Sequence, residues 1–155
     1  MPGRIDARLK ELKIELPNAS APAANYVPYV RTGNLLFMAG QVCQWNGERR
    51  FIGKLGREFS IEQGQEAARL CGLNLLAQAK AALAGDLDRI VRCVRLGGFV
   101  NSTADFLEQP RVVNGASDLM VDVLGDAGRH ARTAIGTNVL PFDLAVEIDA
   151  VFEVK

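Results

Sequence analysis

The stretch LAVEIDAVFEVK, residues 144–155, limits what this chain can fold into more than any other. Leu144, Val146, Ile148, Ala150, Phe152 and Val154 alternate with Ala145, Glu147, Asp149, Val151, Glu153 and Lys155. A period of two puts the first set on one face of a strand and the second set on the other, whereas a helix would scatter both around its axis. A strand with one fully apolar face needs hydrogen-bonding neighbours and a layer to cover that face. The rest of the chain must supply both.

The covering layer is legible in two places. SIEQ, at 60–63, has the capping-box form, with Ser60 at the N-cap and Gln63 three residues on. Behind it Ile61, Ala68, Cys71, Leu75, Ala79 and Leu83 recur at helical spacing, and Gly85 supplies a stop. A second helix is expected from Gln109-Pro110, because proline is tolerated in a first turn. Val113, Ala116, Met120 and Val123 form its stripe, and GDAG ends it. A short amphipathic helix over 4–13 carries Ile5, Leu9 and Leu12 ahead of Pro17.

The neighbouring strands follow from similar signals. Thr32-Gly33-Asn34 reads as a hairpin turn, and Leu35 to Val42 as a strand apolar on both faces, hence internal to a sheet. RIVRCVRLGGFVN (89–101) and ARTAIGTNVL (131–140) are two more. Residues 43–59, with three glycines and several charges, read as a loop holding at most a short edge strand. The order α-β-β-α-β-α-β-β predicts an α+β fold, with two main helices on one face of a mixed or largely antiparallel sheet. The other sheet face is left without a cover, and the both-faced apolarity of 35–42 points to a second subunit for that role.

Bulk properties set limits on function. The chain's 155 residues amount to one domain, 1–155, with 1–20 as an N-terminal helical extension. Lys+Arg and Asp+Glu number 18 each, so a broad nucleic-acid-binding face is not expected. Cys43, Cys71 and Cys93 lie far apart, and His130 is the only histidine, which leaves no credible zinc site. The expectation is three reduced, buried thiols in a cytoplasmic protein. The charged N-terminus is unlike a signal peptide, and no apolar run is long enough to span a bilayer.

Two side chains stand out for chemistry. His130 is a general-base candidate, but no nucleophile or orienting partner is evident beside it in the sequence, so a structural role ranks first. Arg132 enters a strand of small and apolar residues, where an unpaired charge would be costly. Its planar fork binds carboxylates bidentately, and its partner is either internal, Glu147 or Asp149, or a ligand. Glu147 lies on the polar face of its strand, after Leu140-Pro141. If the last two strands approach one another near that break, Glu147 and Arg132 share a site.

Taken together, APAANYVPYVRTGNLLFMAGQ, FVNSTADF, VVNGAS, HARTAIGTNVLP and AVEIDAVFEV resemble the reactive intermediate deaminase family, also called RidA or YjgF. The resemblance runs from Ala21 to the C-terminus. It implies a chorismate-mutase-like fold, a homotrimer with three clefts between subunits, and hydrolysis of imines or enamines of 2-amino acids to 2-oxo acids and ammonia, with no metal or organic cofactor. By motif, Arg132 matches the arginine that grips the substrate carboxylate, and Glu147 the glutamate that positions water. Tyr29 and Asn114 match residues in or near the cleft, and Gly40 lies on the strand lining it. Two positions depart from the family pattern. Ala39 replaces a serine in the family's SGQ, and Ala134 stands where many members have a cysteine. Binding of a small carboxylate without turnover is therefore the alternative function. Nuclease activity, attached to some family names, ranks below it because charge is balanced and aromatic residues make up only 6% of the chain.

Overall fold

Alternation in the C-terminal strand is realised residue by residue. In the computed structural model, which describes residues 3–22 and 24–155, strand β7 (Val146–Val154) buries every even-numbered side chain and leaves every odd-numbered one partly accessible. Val146, Ile148 and Phe152 are wholly buried. Burying side chains of this size contributes about 1.5–3 kcal/mol each.

Around it lie β1 (Tyr29–Thr32), β2 (Leu35–Val42), β5 (Ile90–Asn101) and β6 (Ala131–Thr137), in the spatial order β1-β2-β7-β5-β6. Only β5 and β6 run parallel, so the sheet is mixed. The parallel pair is joined by α3 (Gln109–Leu124), and α2 (Ile61–Ala82) packs beside it on the same face. The last two strands are therefore not neighbours, because β5 lies between them. The strand expected over 131–140 ends at Thr137, and residues 43–59 hold a separate two-stranded hairpin, β3 (Gln44–Trp45) with β4 (Glu48–Arg49).

Both ends of α2 follow local chemistry. The reciprocal capping box forms, with the Gln63 amide donating to Ser60 Oγ at 3.2 Å and the Ser60 amide to Gln63 Oε1 at 2.9 Å. At the other end Leu83 is the cap and Ala84, not Gly85, takes the first left-handed position, with φ 53°. Gly85 follows at φ 90°, and its N–H donates to Lys80 O at 2.8 Å, which satisfies an otherwise free carbonyl. Ile61, placed in the apolar stripe by its spacing, is only partly buried because it lies in the exposed first turn.

Helix α1 (Arg4–Glu11) is fastened at its start by one carboxylate: Asp88 accepts from the Arg4 and Ile5 amides at 2.7 and 2.8 Å. Those two amide bonds hold the Asp88 carboxyl below its ordinary range. Ile5 and Leu9 then reach the core. All three cysteines are free and buried, and burial pushes the Cys93 thiol up to about 12. No helix among the described residues is long and apolar enough to cross a membrane.

The opposite sheet face has no covering layer among the described residues. Phe37 and Ile135 are 46% and 45% exposed there, so β2 buries Leu36 and Met38 but not its whole outer side.

Helices α2 and α3 touch backbone to backbone. A Cβ added to Gly115 would lie 2.0 Å from the Gln65 carbonyl oxygen, a contact no side-chain rotation relieves. Gly115→Ala is therefore expected to wedge the helices apart and cost about 1–3 kcal/mol. Gly33→Ala, whose Cβ would meet nothing, bears only the left-handed backbone cost. Urea melts of the two variants check the difference.

Candidate functional site

Two separate clusters emerge, one on each side of the sheet. The first centres on Glu147. Strand β2 pairs with β7 through Met38–Ala150 and then Gln41–Ile148, so Ala39 and Gly40 form a bulge with one extra residue. The bulge presses backbone onto the glutamate: a Cβ on Gly40 would lie 3.1–3.2 Å from the Glu147 side chain. Only glycine admits that approach without displacing the carboxyl group.

Glu147 is half-buried, and among the described residues its carboxylate has neither a hydrogen-bond donor nor a cation within ion-pair distance. Burial, and secondarily the nearby Asp149, raises its pKa above the ordinary glutamate value. It lines an open cavity of about 390 Å³ together with Tyr26, Ala39, Gly40, Gln44, Arg49 and Phe142. The sequence reading missed Arg49, Phe142 and Tyr26. Tyr29, matched by motif to a cleft between subunits, lies in β1 opposite Met38 of β2, is partly buried against the core and does not line this cavity within the chain.

One wall of the cavity is a strained turn. Phe142 and Asp143 are consecutive left-handed residues, with φ 59° and 57°, a conformation that aspartate tolerates but that is disfavoured for a side chain as bulky as Phe142. Fully buried Asn101 holds them there, donating to Asp143 Oδ1 at 2.8 Å and to Gly53 O at 3.2 Å. Lys54 Nζ donates to Asn101 Oδ1 at 2.6 Å and also to Asn138 O, while the Gly53 amide donates to Asp143 O at 2.7 Å. Phe142 is left 65% exposed, with the Arg49 guanidinium carbon 3.4 Å from its ring centroid.

The second cluster contains Arg132. Its strand pairing with Leu96 puts it on the helix side of β6, whereas Glu147, opposite Phe99, lies on the open side. Within one chain the two residues are on opposite faces and two strands apart, so the expected shared site does not form intramolecularly. Glu147 is not the arginine's internal partner, and neither is Asp149, which pairs with Arg95 at 3.2 Å. Arg132 instead donates from Nη1 to Asn114 Oδ1 at 2.8 Å and Ser117 Oγ at 3.1 Å, and from Nη2 to Pro110 O at 3.2 Å. All of these acceptors are neutral, and among the described residues no carboxylate neutralises the guanidinium.

His130 joins this cluster through a residue the sequence reading did not single out. His130 Nδ1 lies 2.6 Å from Gly128 O, which can only accept, so the neutral ring carries its proton there. Nε2 therefore accepts from Ser117 Oγ at 2.9 Å, and the same hydroxyl oxygen accepts from Arg132. The three-residue spacing of Asn114 and Ser117 puts both on one face of α3 and was the available signal. Ala134 is partly buried against the core.

In sequence and fold the chain matches known proteins. The chain belongs to the YjgF family: residues 6–152 match the family described as "YjgF/chorismate_mutase-like, putative endoribonuclease". The Trypanosoma cruzi protein TCP17 is 49% identical over 99% of this chain and 96% of its own length. Among solved structures, Atu1372 of Agrobacterium tumefaciens, described as of unknown function, is 50% identical with a TM-score of 0.91, covering 97% of this chain and 92% of that one. A Shewanella oneidensis protein described as a putative endoribonuclease is 34% identical with a TM-score of 0.94, over 98% and 100% of the two chains. At greater distance the fold extends to Escherichia coli TdcF with bound serine, at 22% identity and TM-score 0.59 over 90% and 93%.

The raised Glu147 pKa has a sign that stability measurements read. The folded protein holds this proton more tightly than the unfolded chain, so the group's contribution is most favourable below the ordinary glutamate value of 4.5 and declines as pH rises through the raised value. Glu147→Gln is expected to melt above the wild type at pH 7 and level with it near pH 4. Thermal melts across that range check the crossover.

Proposed function

We propose that this chain is a single-domain subunit of a homotrimeric deaminase, hydrolysing 2-imino and 2-enamino acids to 2-oxo acids and ammonia. The observation that carries this reading is the Glu147 carboxylate: half-buried, pKa raised, lacking a hydrogen-bond partner among the described residues, and facing an open cavity. A carboxylate in that setting is a stronger base than one in water and is free to take a proton from a water molecule.

Arg132 supplies the second half. It lies on edge strand β6 with its guanidinium ordered by neutral acceptors, so its charge is available to a ligand carboxylate. The split between the two faces is resolved if the β6 edge of one subunit meets the Glu147 cavity of the next. The exposed Phe37 and Ile135 on the uncovered face support that packing. Serine bound to TdcF is a small carboxylate of the class this reading requires.

The chemistry then needs little else. Arg132 holds the carboxylate of a 2-imino acid and draws electron density from the C=N carbon. Glu147 takes a proton from water as the water oxygen bonds to that carbon, and passes it to the nitrogen to give the aminoalcohol. The carboxylate then takes the hydroxyl proton and delivers it to the amino group as the C=O group forms and the C–N bond breaks, releasing ammonia and restoring the carboxylate. An enamine first gains a proton on its terminal carbon and loses one from nitrogen to become the imine. Most of the acceleration comes from positioning.

Binding without turnover is the second reading. It is favoured by Ala39, which presents a methyl group to the cavity where the family pattern has a hydroxyl.

An oxidase-coupled imine-hydrolysis assay separates these readings. Glu147→Gln is expected to keep 2-oxo acid affinity and slow turnover about a hundredfold or more. Arg132→Ala is expected to fold and to lose about 2–4 kcal/mol of ligand affinity. Wild type and Ala39→Ser both inactive on every imine, with 2-oxo acid binding intact, would leave the binding reading. Light scattering at micromolar concentration is expected to give the trimer mass, and a stable monomer would remove the shared-cleft arrangement.

A further inference from the structure

The Glu147 cavity contains a cation that the deaminase chemistry above leaves unused. Arg49 lies on strand β4, and alternation along 48–50 sends its neighbours the other way: Arg50 pairs with Glu48 at 3.6 Å, while Arg49 lines the cavity. Among the described residues no carboxylate lies within ion-pair distance of Arg49. Its guanidinium is not loose, however, because it stacks on Phe142 at 3.4 Å. Cation–π attraction holds the guanidinium over the ring, and none of its N–H groups has an acceptor among the described residues, so its forked donors can match a carboxylate.

The platform beneath it is costly. Phe142 occupies a left-handed conformation next to a second left-handed residue, and a buried asparagine with a lysine behind it is committed to keeping it so. A surface turn with no task has no need of that arrangement. The strained turn and the β3–β4 hairpin line one cavity together with the Gly40 bulge.

We propose that Arg49, stacked on Phe142, forms a subsite for a second anionic group, so that the preferred ligands are 2-imino and 2-oxo acids carrying a carboxylate at the far end of the chain. This rests on the reading of the Glu147 cavity as the deaminase site. Arg132 holds the carboxylate next to the reacting carbon, and Arg49 holds the distal one.

Calorimetric titration with 2-oxoglutarate and with 2-oxopentanoate, which lacks the second carboxylate, tests this without requiring turnover. The wild type is expected to bind 2-oxoglutarate about tenfold or more tighter, the size of a charge-assisted hydrogen bond. Arg49→Gln is expected to erase that preference and leave 2-oxopentanoate affinity unchanged. Arg49→Lys, which keeps charge but not the stacked fork, is expected to recover only part of it. Equal wild-type affinities overturn the subsite, and so does an Arg49→Gln variant that loses both ligands alike, which would make Arg49 the clamp for the shared carboxylate. Wild type that binds no 2-oxo acid overturns the reading of the cavity itself. Matching melting temperatures for the variants exclude misfolding.

Discussion

Coverage of only one face of β7 is the constraint from which the rest of the structure follows. Its even-numbered side chains close the core against α2, and its odd-numbered ones, Glu147, Asp149, Val151 and Glu153, face away. The central strand of a sheet therefore presents carboxylates at mid-sheet, where neighbouring strands remove much of their water. Asp149 finds a cation in Arg95. Glu147 has none among the described residues, and burial raises its pKa. The polar character that makes the C-terminal strand readable as amphipathic is the same character that sets up its chemistry.

Two local irregularities turn this half-buried carboxylate into a site. The bulge at Ala39–Gly40 lays backbone against it, and the left-handed pair Phe142–Asp143 builds the facing wall. Each departs from regular structure, and each is over-determined by its surroundings: the bulge by the β2 pairing on either side, the turn by Asn101, Lys54 and Gly53. Strain of about 1–3 kcal/mol per residue persists only under such enforcement. The sheet is regular where it supports the core and irregular where it meets the cavity.

The Arg132 cluster shows a different economy. Its guanidinium is ordered by an amide oxygen, a hydroxyl and a main-chain carbonyl, none of which cancels its charge. His130, fixed by Gly128 O, directs the Ser117 hydroxyl so that its oxygen remains an acceptor for the arginine. The histidine thus bears on the arginine rather than acting beside it, and its lack of a sequence-adjacent partner reflects a contact made across thirteen residues of chain.

By itself, the sequence determined most of what depends on local periodicity and on local hydrogen bonding. The alternation of 144–155, the capping box at Ser60–Gln63 and the apolar stripe of α3 all appear where the pattern put them, and the family motifs singled out Arg132, Glu147, Asn114 and Gly40. Tertiary structure decided which of these meet. Strand order places β5 between β6 and β7, and a register two strands removed sends Arg132 and Glu147 to opposite faces. It laid Tyr29 part-buried against the core and brought Tyr26, Arg49 and Phe142 to the cavity. Side-chain period tells which face of its own strand a residue occupies. Only long-range pairing, set by the packing of the whole sheet against its helices, tells which residue of another strand shares that face.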